Sequence, residues 1–200
     1  MLPLVTIRSV AAGVRIAAAL VRGGARGVEV TLRSAAALEG IAAIRVAYPE
    51  LIVGAGTALT PSNLDEAAKA GAHFVVSPGL TTAMVEHARM RNIDLLPGVA
   101  TASEVMRGRD LGLGCFKLFP ARAVHGLDLL ASFAAPFPDV QFCPTGGIDE
   151  ESLPGYLALP NVCCVAGSWM VTPSPDATDM WDEIEARMGR AAAIARCATQ

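Results

Sequence analysis

Lysine is almost missing from this chain: Lys69 and Lys117 stand against 14 arginines in 200 residues. Arginine supplies plain positive charge nearly everywhere, so a retained lysine asks for a reason of its own. Arginine does not give up its proton near neutral pH, whereas lysine can, and the free amine is then a nucleophile. Other shortages narrow the field. No apolar run approaches the ~18 to 20 residues of a membrane-spanning helix, although 52% of residues are apolar and the mean hydropathy is +0.44. Short apolar runs broken by Gly, Pro and charge imply a full core plus subunit contacts instead. A net charge of -3 with scattered arginines leaves no basic stripe, which argues against a nucleic-acid partner. Cys115, Cys143, Cys163, Cys164 and Cys197 show no CxxC spacing, and the three histidines lack ligand spacing, so no metal site is expected. These cysteines fall mostly in apolar runs and read as reduced core residues of a cytoplasmic protein. The segment Met1-Leu2-Pro3-Leu4 has neither a basic region nor a cleavage site, which points away from secretion.

What the chain does contain is a repeated rhythm of Gly-Gly or Ala-Gly, an apolar strand, and a polar or Pro/Gly turn. Strands are expected at 3–7, 27–32, 51–55, 73–76, 94–96, 115–120, 140–143 and 162–165. Helices are expected at 11–21, 35–47, 61–70, 82–91, 102–111, 150–157 and 178–193, the last behind a Pro-rich connector at 172–175. Gly23-Gly24 should close the first helix with a left-handed turn. Thr60 should cap the third with Pro61 at its first position, and Thr101 or Ser103 should cap the fifth. Strands alternating with helices imply a parallel sheet, and eight units favour a closed (β/α)8 TIM barrel over an open sheet. No domain boundary is visible, so residues 1–200 are expected to form one domain.

In such a barrel the reactive groups sit at the carboxyl ends of the strands. Three features fall there. Lys117 lies in the apolar run Cys115-Phe116-Lys117-Leu118-Phe119-Pro120, with Phe119 on the same face by period two. A buried ammonium is costly unless paired or deprotonated. Lys117 is therefore either a nucleophile or a structural lysine reaching solvent or a carboxylate. Glu29 interrupts the otherwise apolar strand Gly27-Val28-Glu29-Val30-Thr31-Leu32, with Arg33 just beyond. It either moves protons or forms an ion pair with Arg33 or Lys117. The loops Thr145-Gly146-Gly147 and Gly167-Ser168 either present backbone N–H groups to a phosphate or merely end strands. An amine, an acid, a guanidinium and a phosphate cradle together would allow imine chemistry on a phosphorylated keto acid.

Seven motifs carry a resemblance: Glu29-Val-Thr-Leu-Arg33, Gly54-Ala-Gly-Thr57, Ser77-Pro-Gly-Leu80, Leu96-Pro-Gly98, Phe116-Lys-Leu-Phe-Pro120, Cys143-Pro-Thr-Gly-Gly147 and Gly167-Ser-Trp169. In this order and spacing, over about residues 3–171, the chain resembles the 2-keto-3-deoxy-6-phosphogluconate (KDPG) and 4-hydroxy-2-oxoglutarate (KHG) aldolases. The resemblance implies a metal-independent class I aldolase on a barrel fold, usually a homotrimer. Its reaction would split the phosphorylated keto-deoxy acid into pyruvate and D-glyceraldehyde 3-phosphate, the last step of the Entner–Doudoroff route. It implies no cofactor beyond a Schiff base on Lys117, with Glu29 as general acid/base. Arg33 and Thr57 would hold the pyruvate carboxylate, and Pro78 and Phe119 would shape the pocket. Thr145 would contact the hydroxylated chain, while Gly146, Gly147 and Ser168 would receive the phosphate. Members often carry an extra amino-terminal helix under the barrel, whereas here Leu2, Pro3 and neighbours are expected to close the floor. Arg8, Arg122 and His125 receive no role. KHG, or the galactonate epimer of the phosphorylated substrate, are alternative substrates. A barrel that binds or isomerises phosphosugars without an imine would make Lys117 a simple anion clamp.

Overall fold

Strand–helix alternation organises the chain, and the computed structural model describes residues 1–172 and 180–197. In order, the elements are β1 (Leu2–Val5), α1 (Val10–Arg22), β2 (Gly27–Thr31), α2 (Ala37–Ala47), β3 (Ile52–Gly56), α3 (Pro61–Lys69), β4 (Phe74–Val76) and α4 (Thr82–Arg91). There follow β5 (Leu95–Leu96), β6 (Gly98–Val99), α5 (Ala102–Asp110), β7 (Cys115–Leu118), α6 (Gly126–Phe133), β8 (Gln141–Pro144), α7 (Leu153–Leu157) and β9 (Ala166–Gly167). A 3-10 turn (Trp169–Val171) and α8 (Met180–Cys197) complete the described chain. Every pairing between these strands is parallel. One sheet has the order β5-β4-β3-β2-β1-β9 and the other β6-β7-β8. Isolated bridges from Phe142 to Val162 and from Thr145 to Ala166 bring β8 alongside the chain that enters β9. The result is an α/β fold whose parallel sheet curls into a half-barrel.

The expected single ring of eight strands is interrupted at two places, each with a local cause. Pro97 separates β5 from β6, because proline has no N–H to give a ladder. Its carbonyl still accepts from the Lys117 amide at 3.0 Å. The strand expected at 162–165 is displaced to Ala166–Gly167. Val162 pairs with Phe142 on β8, whereas the Val165 carbonyl accepts from Leu2 on β1 at 2.9 Å. The chain runs with β8 on one side and β1 on the other, but it meets β8 only through isolated bridges, and a ladder forms only where Ala166 and Gly167 pair with Leu2 and Pro3. Leu2 and Pro3, expected at the floor, pair with Ala166 and Gly167 as the start of β1.

Helix ends follow their capping residues where those are present. Thr60 accepts from the Asn63 amide and Asn63 reaches back to the Thr60 amide, with Pro61 opening α3. Thr101 and Glu104 form the same reciprocal cap on α5. Helix α6 was not expected from the sequence. It starts behind His125, at φ 50 and with no side-chain cap, so no Ser, Thr, Asp or Asn signal announces it. Packing holds it instead: Leu130 and Phe133 are buried, and the Phe133 ring lies 5.8 Å from Phe142 on β8. Helix α7 starts at Leu153 rather than 150, because Pro154 fits only the first turn. The preceding residues form a side-chain turn in which Asp149 Oδ1 accepts from the Ser152 amide at 2.9 Å and hydroxyl at 2.6 Å.

At the end of α1 the left-handed residue is Gly24 (φ 89), not Gly23 (φ -73). Gly23 is required for a different reason: a Cβ there would sit 2.6 Å from the Glu185 carbonyl, so α8 can approach α1 closely. The expected connector at 173–175 and helix residues 178 and 179 lie outside the described residues. The cysteines are free, as expected, but only Cys143 is a core residue; Cys115, Cys163 and Cys197 are exposed and Cys164 is half-buried. Cys115 opens β7 and Cys163 lies in the irregular chain before β9, and at these exposed positions their sulfurs stand 3.9 Å apart. Among the described residues no helix is long and apolar enough to cross a membrane.

Candidate functional site

Glu29 is carried by β2, in register between Leu4 on β1 and Gly54 on β3. Glycines at alternate positions of β3 make room for two side chains. A Cβ on Gly54 would fall 2.2 Å from the Phe74 ring, and one on Gly56 would fall 2.0 Å from Glu29 Oε1. The carboxylate thus occupies the space that a side chain at position 56 would fill. Lys117 comes from the other sheet, on β7, flanked in register by Gly98 and Cys143. Its neighbours Phe116 and Leu118 face the core and are fully buried. The Lys117 Nζ stands 3.6 Å from Glu29 Oε1, with the two side chains only 7% and 2% exposed. It also lies 5.2 Å from the centre of the Phe119 ring, within cation–π range.

At 3.6 Å the contact is an ion pair rather than a formed hydrogen bond, and Glu29 Oε1 has no hydrogen-bond partner among the described residues. Burial penalises the carboxylate and holds Glu29 above the usual carboxylate range; the charges of Lys117 and then Arg33 oppose this without cancelling it. Glu29 therefore binds a proton more readily than an exposed glutamate does. An amine and a proton-holding acid this close can exchange a proton with each other or with a molecule placed between them.

Above the pair opens a cleft of about 550 Å³. Lys117, Phe119, Arg33, Thr145, Gly146, Gly147 and Ser168 all line it, so seven of the ten expected residues share one wall system. Gly146 and Gly147 have φ 102 and 77, conformations that favour glycine. Thr145 is buried and donates its hydroxyl to the Cys143 carbonyl at 3.2 Å, which leaves its oxygen able to accept. Glu29 sits against Lys117 beneath this cleft. Thr57 and Pro78 are not part of its lining; they follow β3 and β4, one and two residues beyond the strand ends. Thr57 follows Gly56 at φ 65, which is rare for a β-branched residue and stores backbone strain of order 1–3 kcal/mol. The Pro78 carbonyl lies over Gly98, the strand neighbour of Lys117, so closely that a Cβ on Gly98 would approach it to 2.2 Å.

Sequence reading left out Leu4, Ile148, Trp169, Thr172 and Arg187, which also line the cleft. The first two look like ordinary core residues. Arg187 looks like half of an exposed i,i+4 pair with Glu183, and nothing in the sequence says that its helix folds back over the strand ends. Arg122 and His125 line a neighbouring polar depression with Asp149 and Tyr156, and Arg122 stands 3.7 Å from Asp149. Arg8 is exposed beyond β1. Among the described residues no three His, Cys, Asp or Glu side chains are grouped to hold a metal ion.

Fold and site together define a class: a parallel α/β protein with a buried amine–carboxylate pair at the base of a strand-end cleft. Within that class the chain belongs to the KDPG and KHG aldolase family, whose model matches residues 1–187. It is 48% identical over 169 residues to the KHG/KDPG aldolase of Escherichia coli (strain K12), covering 84% of this chain and 79% of that one. The fold matches a crystal structure of the KDPG aldolase of Zymomonas mobilis ZM4 with 3-phosphoglycerate at TM-score 0.89 and 47% identity, covering 96% and 90% of the two chains. It also matches a KDPG aldolase from Legionella pneumophila at TM-score 0.89 and 38% identity, covering 94% and 91%. That structure holds pyruvate captured at low pH as a covalent carbinolamine intermediate.

Proposed function

We propose that this protein is a class I lyase that cleaves 2-dehydro-3-deoxy-6-phosphogluconate to pyruvate and D-glyceraldehyde 3-phosphate. The observation that carries the proposal is the buried Lys117 Nζ 3.6 Å from Glu29 Oε1, below a cleft that ends in Gly146-Gly147 and Ser168. The uncharged Lys117 amine adds to the C2 carbonyl, and loss of water from the carbinolamine leaves an iminium. Glu29 takes the proton of the C4 hydroxyl, directly or through a water. The C3–C4 bond breaks, its electron pair flows to the iminium nitrogen, and the aldehyde departs. Glu29 then returns a proton to C3 of the enamine, and water releases pyruvate. Arg33, with Thr57, holds the keto-acid carboxylate; Phe119 and Pro78 shape the space around the three-carbon unit. Thr145 accepts from the hydroxylated chain, and Gly146, Gly147 and Ser168 seat the phosphate. No metal takes part.

Pyruvate with borohydride tests the imine directly: a stable adduct on Lys117 is expected, and an unmodified Lys117 would leave only an anion-binding barrel. The E. coli relative bears both KHG and KDPG in its name, which makes KHG a second substrate to weigh. A coupled assay comparing KDPG, its galactonate epimer and KHG ranks the three.

The finer architecture belongs to the same reading. The two sheets act as one eight-stranded TIM barrel in a single domain, with β5 and β6 the two halves of one strand around Pro97. The Phe142–Val162 and Thr145–Ala166 bridges support closure on the other side. Family membership supports a cytoplasmic homotrimer, which sedimentation equilibrium would test.

A further inference from the structure

We propose that Arg187 is a positioning residue that fixes the Gly167–Thr172 wall of the cleft, and through it the phosphate seat. The inference rests on the reading of Ser168 as part of that seat. After β9 the chain makes a 3-10 turn over Trp169–Val171. The Ser168 carbonyl accepts from the Val171 amide and from the Thr172 hydroxyl, both at 3.0 Å. The Trp169 and Thr172 carbonyls, which flank the rest of the turn, are held from outside it. A single nitrogen of Arg187, Nη1, donates to the Trp169 carbonyl at 2.9 Å and to the Thr172 carbonyl at 2.8 Å. Arg187 is itself fixed by Glu183, which accepts from Nε at 2.9 Å and Nη2 at 2.6 Å. The pair is only 22% and 20% exposed, so solvent competes weakly for these bonds.

Three features argue that this is positioning rather than generic stability. Trp169 packs against the core but is not fixed by a side-chain hydrogen bond, since its buried Nε1 has no hydrogen-bond partner among the described residues. Its polar anchoring in the wall therefore comes through the backbone carbonyl that Arg187 holds. The clamp comes from α8, so it couples the end of β9 to a distant helix. Its charge is neutralised by Glu183, so its contribution to the cleft is shape more than field. A guanidinium is suited to this because its planar fork serves both partners at once, and a lysine cannot reproduce that. Displacements near 1 Å in a positioning shell can cost about 10²-fold.

Two measurements on the full chain separate this inference from the reading beneath it. Calorimetry with sn-glycerol 3-phosphate reports the phosphate seat without any imine, and borohydride trapping of pyruvate reports Lys117 without any phosphate. Arg187→Met is expected to weaken glycerol-phosphate binding at least about tenfold while trapping stays at the wild-type level. Arg187→Lys should fall between the two, and Thr172→Val should weaken the same ligand less. If Arg187→Met fails to fold, the Lys and Thr172→Val variants carry the test. Unchanged glycerol-phosphate binding in the folded variants overturns the inference, as does a parallel loss of pyruvate trapping, which would mean general loosening. Absence of trapping in the wild type sinks the lyase instead, with the calorimetric comparison still deciding Arg187.

Discussion

The run β1 to β4 of the six-stranded sheet is built from near-uniform units, whereas the three-stranded sheet, together with β5 and β9 at the ends of the first, is built around interruptions. In the first, β2 to β4 run in unbroken register and Thr60 and Thr81 cap the helices that follow β3 and β4. In the second region, β6 begins behind Pro97, β9 is only two residues long, the loop after β8 needs two glycines at positive φ, and α6 and α7 start without a side-chain cap. Each sheet contributes one member of the buried pair, Glu29 from the regular side and Lys117 from the irregular one. The regular side also supplies the space, since Gly56 leaves room for the carboxylate. The irregular side supplies most of the cleft wall, from Lys117 through Ile148 and again from Gly167 to Thr172. Regularity therefore holds the acid still, and irregular backbone shapes what surrounds the amine.

Removing the nucleophile should break this pairing most severely. Lys117→Arg keeps the positive charge opposite Glu29 but cannot form an imine, so turnover is expected to fall by several orders of magnitude. Steady-state rates near the wild type would refute the assignment. The matching change on the regular side is Glu29→Gln, which should still trap pyruvate with borohydride. Proton exchange at the pyruvate methyl, followed by NMR, should slow by about 10² to 10⁴-fold. The pH dependence has a definite sign. Burial raises the Glu29 pKa above its ordinary value of 4.5, so the base form fills only at pH above that value. Exchange by the wild type should therefore rise with pH through a window lying above 4.5, and Glu29→Gln should abolish that limb.

The same contrast explains what could be read from the sequence. Around β2 to β4, residue types and structure agree to within a residue or two, because alternation, Thr caps and Pro61 all state the same local answer. Glu29 and Lys117 were legible for the opposite reason: each is charged where its strand demands apolar residues. The failures gather on the irregular side. Helix α6 depends on Phe133 meeting Phe142, a contact between residues that only the fold brings together. The place of β9 depends on Ala166 and Gly167 meeting Leu2 and Pro3, a pairing between strands far apart in sequence. Arg187 was invisible because its partners, the Trp169 and Thr172 carbonyls, are backbone atoms 18 and 15 residues away.

A change at Gly147 should give an intermediate effect. Its φ of 77 and the Arg122 side chain, whose Cβ would lie 2.5 Å from an added methyl, both oppose alanine. The left-handed backbone alone costs about 1–2 kcal/mol for a non-glycine residue. Gly147→Ala is expected to raise KM for the phosphorylated substrate by about tenfold, equivalent to roughly 1.4 kcal/mol, while leaving Lys117 trappable by pyruvate. An unchanged KM would remove Gly147 from the phosphate seat.

The smallest effect is expected on the regular side, away from the cleft. Thr60→Ala removes the hydroxyl that accepts from the Asn63 amide at the start of α3. Losing such a cap costs about 1 kcal/mol, which lowers Tm by roughly 2–4 °C for a chain of this size. Because α3 joins two strands of the same regular sheet, the loss should be spread over a cooperative unit rather than passed to Lys117. Unchanged kcat and KM beside a lowered Tm would support that separation. A fall in kcat comparable to the Gly147→Ala effect would show that the two sheets are coupled more tightly than their construction implies, and that the cleft depends on helix ends far from it.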